Sequence, residues 1–211
     1  MITLKTKGAK MKHFIITTLG IVALAHPSFA RHGGTSGGNA DIIVRGSQAW
    51  FAAESAEQVV EGLVRENAVT ESGLDYLRIS LTSTANAELT LSSSAGDLTK
   101  NCQMTDESSR RGTLTKKDVR CAGIAKTPRY DLTRGSDAWA VVEGLEHSLR
   151  LAVMGDATVL GTLKSATSEL QDDSSVLISF DLSNGSRLDY TCTRTYYGAP
   201  NPLSIECVSN N

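Results

Sequence analysis

Few residue groups in this chain could do chemistry. Glu54 and Glu57 stand one helical turn apart, and Glu143 and Glu146 repeat the spacing, with His147 next in line. Paired carboxylates can serve glycoside hydrolysis as acid and nucleophile or base. Joined by further oxygens, they can hold calcium. Neither use has its companion motif here, so the spacing points first to the wet face of an amphipathic helix. Nucleophilic catalysis lacks parts. Beyond residue 30 the only histidines are His32 and His147. No His-Glu-x-x-His or glycine-rich phosphate loop occurs, and the glycines at 33–38 lead into no strand-to-helix unit. A hydrolase would have to be built from Glu143, Glu146 and His147.

The cysteines are Cys102, Cys121, Cys192 and Cys207. Zinc would favour close Cys-x-x-Cys pairs, which are absent. An even count in an exported chain reads as two disulfides. The segment between Cys102 and Cys121 carries Arg110, Arg111, Lys116, Lys117 and Arg120. The segment between Cys192 and Cys207 carries Tyr196, Tyr197, Pro200 and Pro202. Tyrosine offers a large contact area with few rotatable bonds. Tyr196, Tyr197, Arg110 and Arg111 are therefore the predicted binding residues. No metal or cofactor site is predicted.

An internal repeat must position these groups. Arg45-Gly46-Ser47-Gln48-Ala49-Trp50 returns as Arg134-Gly135-Ser136-Asp137-Ala138-Trp139, 89 positions later, and residues 45–57 share seven of thirteen identities with their counterparts. Ser47 and Ser136 are expected to cap helices over Gln48 to about Glu66 and Asp137 to about Met154. Their apolar stripes coincide at the same offset: Ala49, Ala52, Ala53, Ala56, Val60, Leu63 and Val64 become Ala138, Val141, Val142, Leu145, Leu149, Ala152 and Val153. Trp50 and Trp139 sit one step off the stripes, where they would seal helix against sheet. Glu54, Glu57 and Glu61 fall on the opposite side.

Strands follow from alternation. Leu77, Ile79 and Leu81 form one; Ala87, Leu89 and Leu91 a second; Leu98, Cys102 and Met104 a third; Val119 and Cys121 a fourth. Val159 to Lys164 reads as a strand, followed by Val176 to Phe180, Leu188 to Cys192 and Leu203 to Cys207. Asn184-Gly185 predicts a tight primed hairpin turn. Asp41 to Val44 reads as a short strand. Four cysteines allow three pairings; the repeat favours Cys102–Cys121 and Cys192–Cys207, each stapling the last two strands of its unit. In the chain-entropy model such loops stabilise by about 3 kcal/mol each.

Residues 1–30 read as a secretory signal. Lys5, Lys7, Lys10 and Lys12 precede an apolar run from Phe14 to Ala25, and Ser28-Phe29-Ala30 supplies a cleavage site. Translation starts at Met1 or Met11. Cleavage takes the formal charge from −2 to −6, which disfavours nucleic acid. No later segment is apolar enough to span a membrane. Residues 31–40 read as a Gly-rich arm.

Together these features predict an α+β protein of two tandem repeats, 41–127 and 128–211. Each would hold one helix packed on a small antiparallel sheet of three or four strands with one disulfide. In layout this resembles the β-lactamase inhibitory proteins, secreted tandem repeats of helices and sheets. The expected function is that of an exported, periplasmic or secreted, non-enzymatic module that binds another protein through the cystine-closed loops. A secreted hydrolase with a site between the repeats and a structural envelope component are the alternatives.

Overall fold

A computed structural model of the chain describes residues 42–108, 115–125, 130–195 and 203–210. The expected signal (1–30), the arm (31–40, with His32) and the four predicted binding residues Arg110, Arg111, Tyr196 and Tyr197 lie outside the described residues. Elements run in the order α1 (Gln48–Arg65), β1 (Leu74–Ser83), β2 (Asn86–Ser93), β3 (Gly96–Ser108), β4 (Thr115–Cys121), α2 (Asp137–Gly155), α3 (Val159–Thr162), β5 (Leu163–Leu170), β6 (Ser175–Leu182), β7 (Arg187–Thr195) and β8 (Ser204–Ser209).

The repeated hexapeptide is a helix-start device. Gly46 and Gly135 take φ of +86° and +88°, which an L side chain rarely adopts. The turn each makes brings Ser47 or Ser136 to the N-cap. The Ser47 hydroxyl accepts from the Trp50 amide at 3.1 Å, and that of Ser136 from the Trp139 amide at 3.1 Å. Such a cap stabilises a helix by about 1 kcal/mol. The helices end differently. Asn67 at φ +56° closes α1, with its amide donating to Val64 O and the Ala68 amide to Leu63 O. After α2, the Asp156 side chain accepts from the Thr158 amide and starts the single turn of α3. That turn replaces the first four residues of the strand expected over Val159 to Lys164; β5 begins only at Leu163. Of the strand expected over 41–44, residues 42–44 form none; they lead into a turn at 45–46 closed by the Ser47 amide on Val44 O.

The two-unit arrangement predicted from the repeat is corrected by one set of bonds. β1 pairs antiparallel with β5, Tyr76 to Ser80 against Glu169 to Ser165. The described strands therefore form one antiparallel sheet in the order β4-β3-β2-β1-β5-β6-β7-β8. The physical reason is the edge: a half-sheet ending at β1 or β5 would leave a row of backbone donors and acceptors unpaired. The helices share the sheet as well. α2 packs on β1 in addition to β5 through β8, α1 reaches β5, and the two helices touch each other. The fold is thus one sheet beneath a helical layer with a common core, and not two helix-on-small-sheet units.

That layering decides burial. Leu77, Ile79, Leu89, Leu91, Ile178 and Phe180 alternate along the strands and are fully buried under the helices. Each helix has sheet below and a helix beside it, so more than the apolar stripe is covered. Phe51 and Val59, both off the stripe, are fully buried, and Glu61, expected on the wet side, is only 5% exposed. Trp139 is buried as expected; Trp50 is half-buried, with the Arg45 guanidinium 5.1 Å from its ring centroid.

Both disulfides form as paired: Cys102–Cys121 joins β3 to β4 and Cys192–Cys207 joins β7 to β8, each between directly opposed residues. The outermost strand at either side of the sheet is therefore covalently tied to its neighbour. The Asn184-Gly185 hairpin forms with a different turn from the one predicted. Gly185 is at φ +85° while Asn184 is not in the left-handed region. Gly185 N donates to Leu182 O and Leu182 N to Ser186 O, which is a three-residue loop with a glycine bulge.

Candidate binding face of the sheet

The helices cover one face of the sheet; no described element covers the other. Along the strands this second face is mostly polar: Arg78 and Ser80 on β1, Glu88 and Thr90 on β2, Asn101 and Gln103 on β3, Thr167 and Glu169 on β5, Ser179 and Asp181 on β6, Asp189 and Thr191 on β7, with Tyr76, Leu177 and the exposed Val208 in the row of Glu169 and Thr191. At about 4.8 Å per strand an eight-stranded sheet is roughly 34 Å wide. The backbone holds these residues in fixed register, because a slip of one position would turn the buried leucines outward.

Several of these polar groups are locked to each other. The Arg187 guanidinium donates to Asp189 Oδ1 at 2.9 Å and to Ser179 Oγ at 2.8 Å, and Ser179 Oγ donates to the same Asp189 oxygen. The Ser179 bond, supported by the Arg187 charge, holds the Asp189 carboxyl below the usual aspartate range. Nearby, Ser165 Oγ donates to Asp181 Oδ2 at 2.7 Å. Ser165 and Ser179 are buried although they lie on the uncovered face.

Two shallow depressions mark this region. One, of about 330 Å³, lies across β1, β5 and β6 and is bordered by Arg78, Ser80, Lys164, Ser165, Asp181 and Ser186. The other, of about 380 Å³, lies on β2 to β4, with Asn86, Asn101, Gln103 and Arg120 among its residues. Two sheet irregularities frame the first. Lys164 is the extra residue of a bulge between Leu163 and Ser165, and Thr82 that of a bulge between Leu81 and Ser83. Bulges re-aim side chains and recur beside functional sites.

The sequence-predicted residues fare differently. The strand ends that lead into 109–114 and 196–202 are Ser108 opposite Thr115, and Thr195 opposite Ser204. β3 and β7 run in opposite directions on opposite sides of the sheet, so these ends lie at diagonal corners. The basic cluster around the first loop meets acids that the sequence reading left out. Lys117 Nζ lies 2.7 Å from Asp106, Arg120 lies 3.7 Å from Asp118, and Lys116 stands opposite Glu107 in register. Glu143, Glu146 and His147 sit along the outward side of α2, where Glu146 accepts from Arg150 at 2.8 Å. Neither depression contains any of the three. Among the described residues no cluster of metal-ligating side chains occurs. No described helix is long and apolar enough to cross a membrane.

Two outward carbonyls of β4 are covered. Arg45 Nε and Nη2 donate to Lys117 O at 2.9 and 2.6 Å, and Gln58 Nε2 donates to Val119 O at 3.1 Å. This blunts one side of the sheet against strand addition. Comparison with known proteins finds no family model, no curated protein and no solved structure that matches the chain. The likeness to the β-lactamase inhibitory proteins rested on the two-unit layout, which the β1–β5 pairing overturns.

Proposed function

We propose that this is an exported, non-enzymatic module that binds a protein partner on the uncovered face of its sheet. The observation that carries the reading is the preorganised polar layer: the Arg187–Asp189–Ser179 triangle and the Ser165–Asp181 bond, held on a rigid sheet with no described element over it. Polar groups already fixed by neighbours lose little freedom when a partner docks. Two disulfides and the absence of a spanning helix among the described residues are consistent with export, which residues 1–30 would direct. The repeated hexapeptide and stripe fit an origin by duplication. The strand ends Ser108 and Thr195, which precede Arg110, Arg111, Tyr196 and Tyr197 in sequence, lie at opposite corners of the sheet.

The test is a cross-linking pull-down from native envelope and medium with the mature chain, a Thr90→Arg/Thr167→Arg variant and a Tyr196→Ala/Tyr197→Ala variant. A partner held by the native chain and lost by the Thr90/Thr167 variant supports the reading. A partner lost only with the tyrosines moves the site to the loop. No partner with any of them sinks the proposal.

A further inference from the structure

The depression across β1, β5 and β6 has an unusual charge arrangement. Arg78 and Lys164 both border it, from different strands. Neither has an ion-pair or hydrogen-bond partner among the described residues, although Glu88 and Glu169 stand on adjoining strands one register step away. On this face Arg187 pairs with Asp189 and Arg120 with Asp118. Lys164 is directed there by the bulge that makes it the extra residue of β5. The third charged group is Asp181, opposite Arg187 in register, whose Oδ2 is taken by Ser165 while its other oxygen meets no donor among the described residues.

This set describes a ligand. Two unpaired cations suit an oxyanion, and a guanidinium can meet a carboxylate with two parallel bonds. Asp181 in the same depression disfavours a dianion and offers an acceptor to a donor beside the oxyanion. A singly charged carboxylate flanked by an N–H fulfils both demands. We propose that the Arg78–Lys164 depression receives an acidic side chain of the protein partner, its carboxylate on the two cations and a neighbouring backbone N–H on Asp181. The choice of a protein as the source rests on the reading of the face given above.

The mature chain, uniformly labelled, is titrated with N-acetyl-glutamate N-methylamide, its glutamine analogue and inorganic phosphate, following backbone amides by NMR. The glutamate probe should saturate shifts at Ser80, Ser165, Gly185 and Ser186. Arg78→Gln and Lys164→Gln should each weaken it by about tenfold or more, the scale of one charge-assisted bond. Lys100→Gln, on the helix side, should leave it unchanged. Equal shifts with the glutamine analogue, unsaturable shifts spread over all basic residues, or tighter binding of phosphate would each overturn the proposal. Saturation at these residues with no partner in the pull-down would instead fall on the protein-partner reading, leaving a carboxylate site for a small ligand.

Discussion

Arg194 on β7 reaches across to the start of α2, where Nη2 meets Asp137 Oδ1 at 2.6 Å and Nη1 meets Gly135 O at 2.6 Å. The pair is mostly buried, with the side chains 11% and 20% exposed. In the first half the corresponding fastening runs the other way, from Arg45 in the turn to the β4 backbone. Arg194→Gln should lower unfolding free energy by about 2 kcal/mol, because it removes charge-assisted bonds and strands the Asp137 carboxylate. Asp137→Asn should cost less, since the Gly135 bond survives. Urea denaturation of both variants checks the order; equal losses would contradict it.

Two glycines inside helices give opposite expectations. A Cβ at Gly62 would lie 2.5 Å from Ile124 Cγ2, whereas one at Gly144 would meet Ile205 and Cys192 at 3.4 and 3.6 Å, ordinary contact. Gly144→Ala should therefore stabilise by up to about 1 kcal/mol through helix propensity. Gly62→Ala should destabilise by about 1–3 kcal/mol through overpacking. Thermal melts of the two single variants would decide.

At the helix starts, Gly135→Ala should be costly twice over. Its φ is +88°, and a Cβ there would lie 2.5 Å from Leu203 Cδ2. A loss of about 1–3 kcal/mol is expected. The readout is the Tm, with Gly185→Ala as the comparison: φ is +85° there but nothing lies within 4 Å, so only the backbone cost applies.

Acid should loosen particular ties. Burial pushes the Glu71 carboxyl up, but bonds from Thr133 and Tyr130 outweigh it and hold the pKa below its ordinary value. The Ser174 hydroxyl and amide bring Asp172 down to about 2. A depressed carboxyl contributes stability that is present above its unfolded pKa and disappears as pH falls through the folded one. The Tm difference between the native chain and Asp172→Asn should thus be full at pH 6 and shrink from the ordinary aspartate range towards about pH 2. A difference that stays constant across that range would refute the assignment.

Much of this was legible in the sequence. The two long helices, their serine caps and both disulfides follow from the repeated hexapeptide, the stripes and the cysteine spacing. What the spelling of each half could not show was β1 against β5. Leu77 and Ile79 look the same whether their strand ends a sheet or lies in its middle, because alternation reports which face is buried and not which neighbour is bonded. Glu61 misled for a similar reason, as a charge on a helix flank reads as wet until a second helix lies beside it. The Arg78–Lys164 depression was invisible too. It joins strands distant in sequence and depends on bulges at Thr82 and Lys164, which alternation does not encode.

The β1–β5 seam has a kinetic consequence. Ile79 and Ala166 pair across it although 87 positions separate them, whereas β1 and β2 are joined by only the two residues Thr84 and Ala85. Closing the longer loop costs more chain entropy, and such non-local pairings slow folding. Until the seam zips, both central strands expose raw edges, the state in which a newly made chain is open to aggregation. If the seam forms late, Ile79→Val and Ala166→Gly will speed unfolding and leave refolding rates nearly untouched.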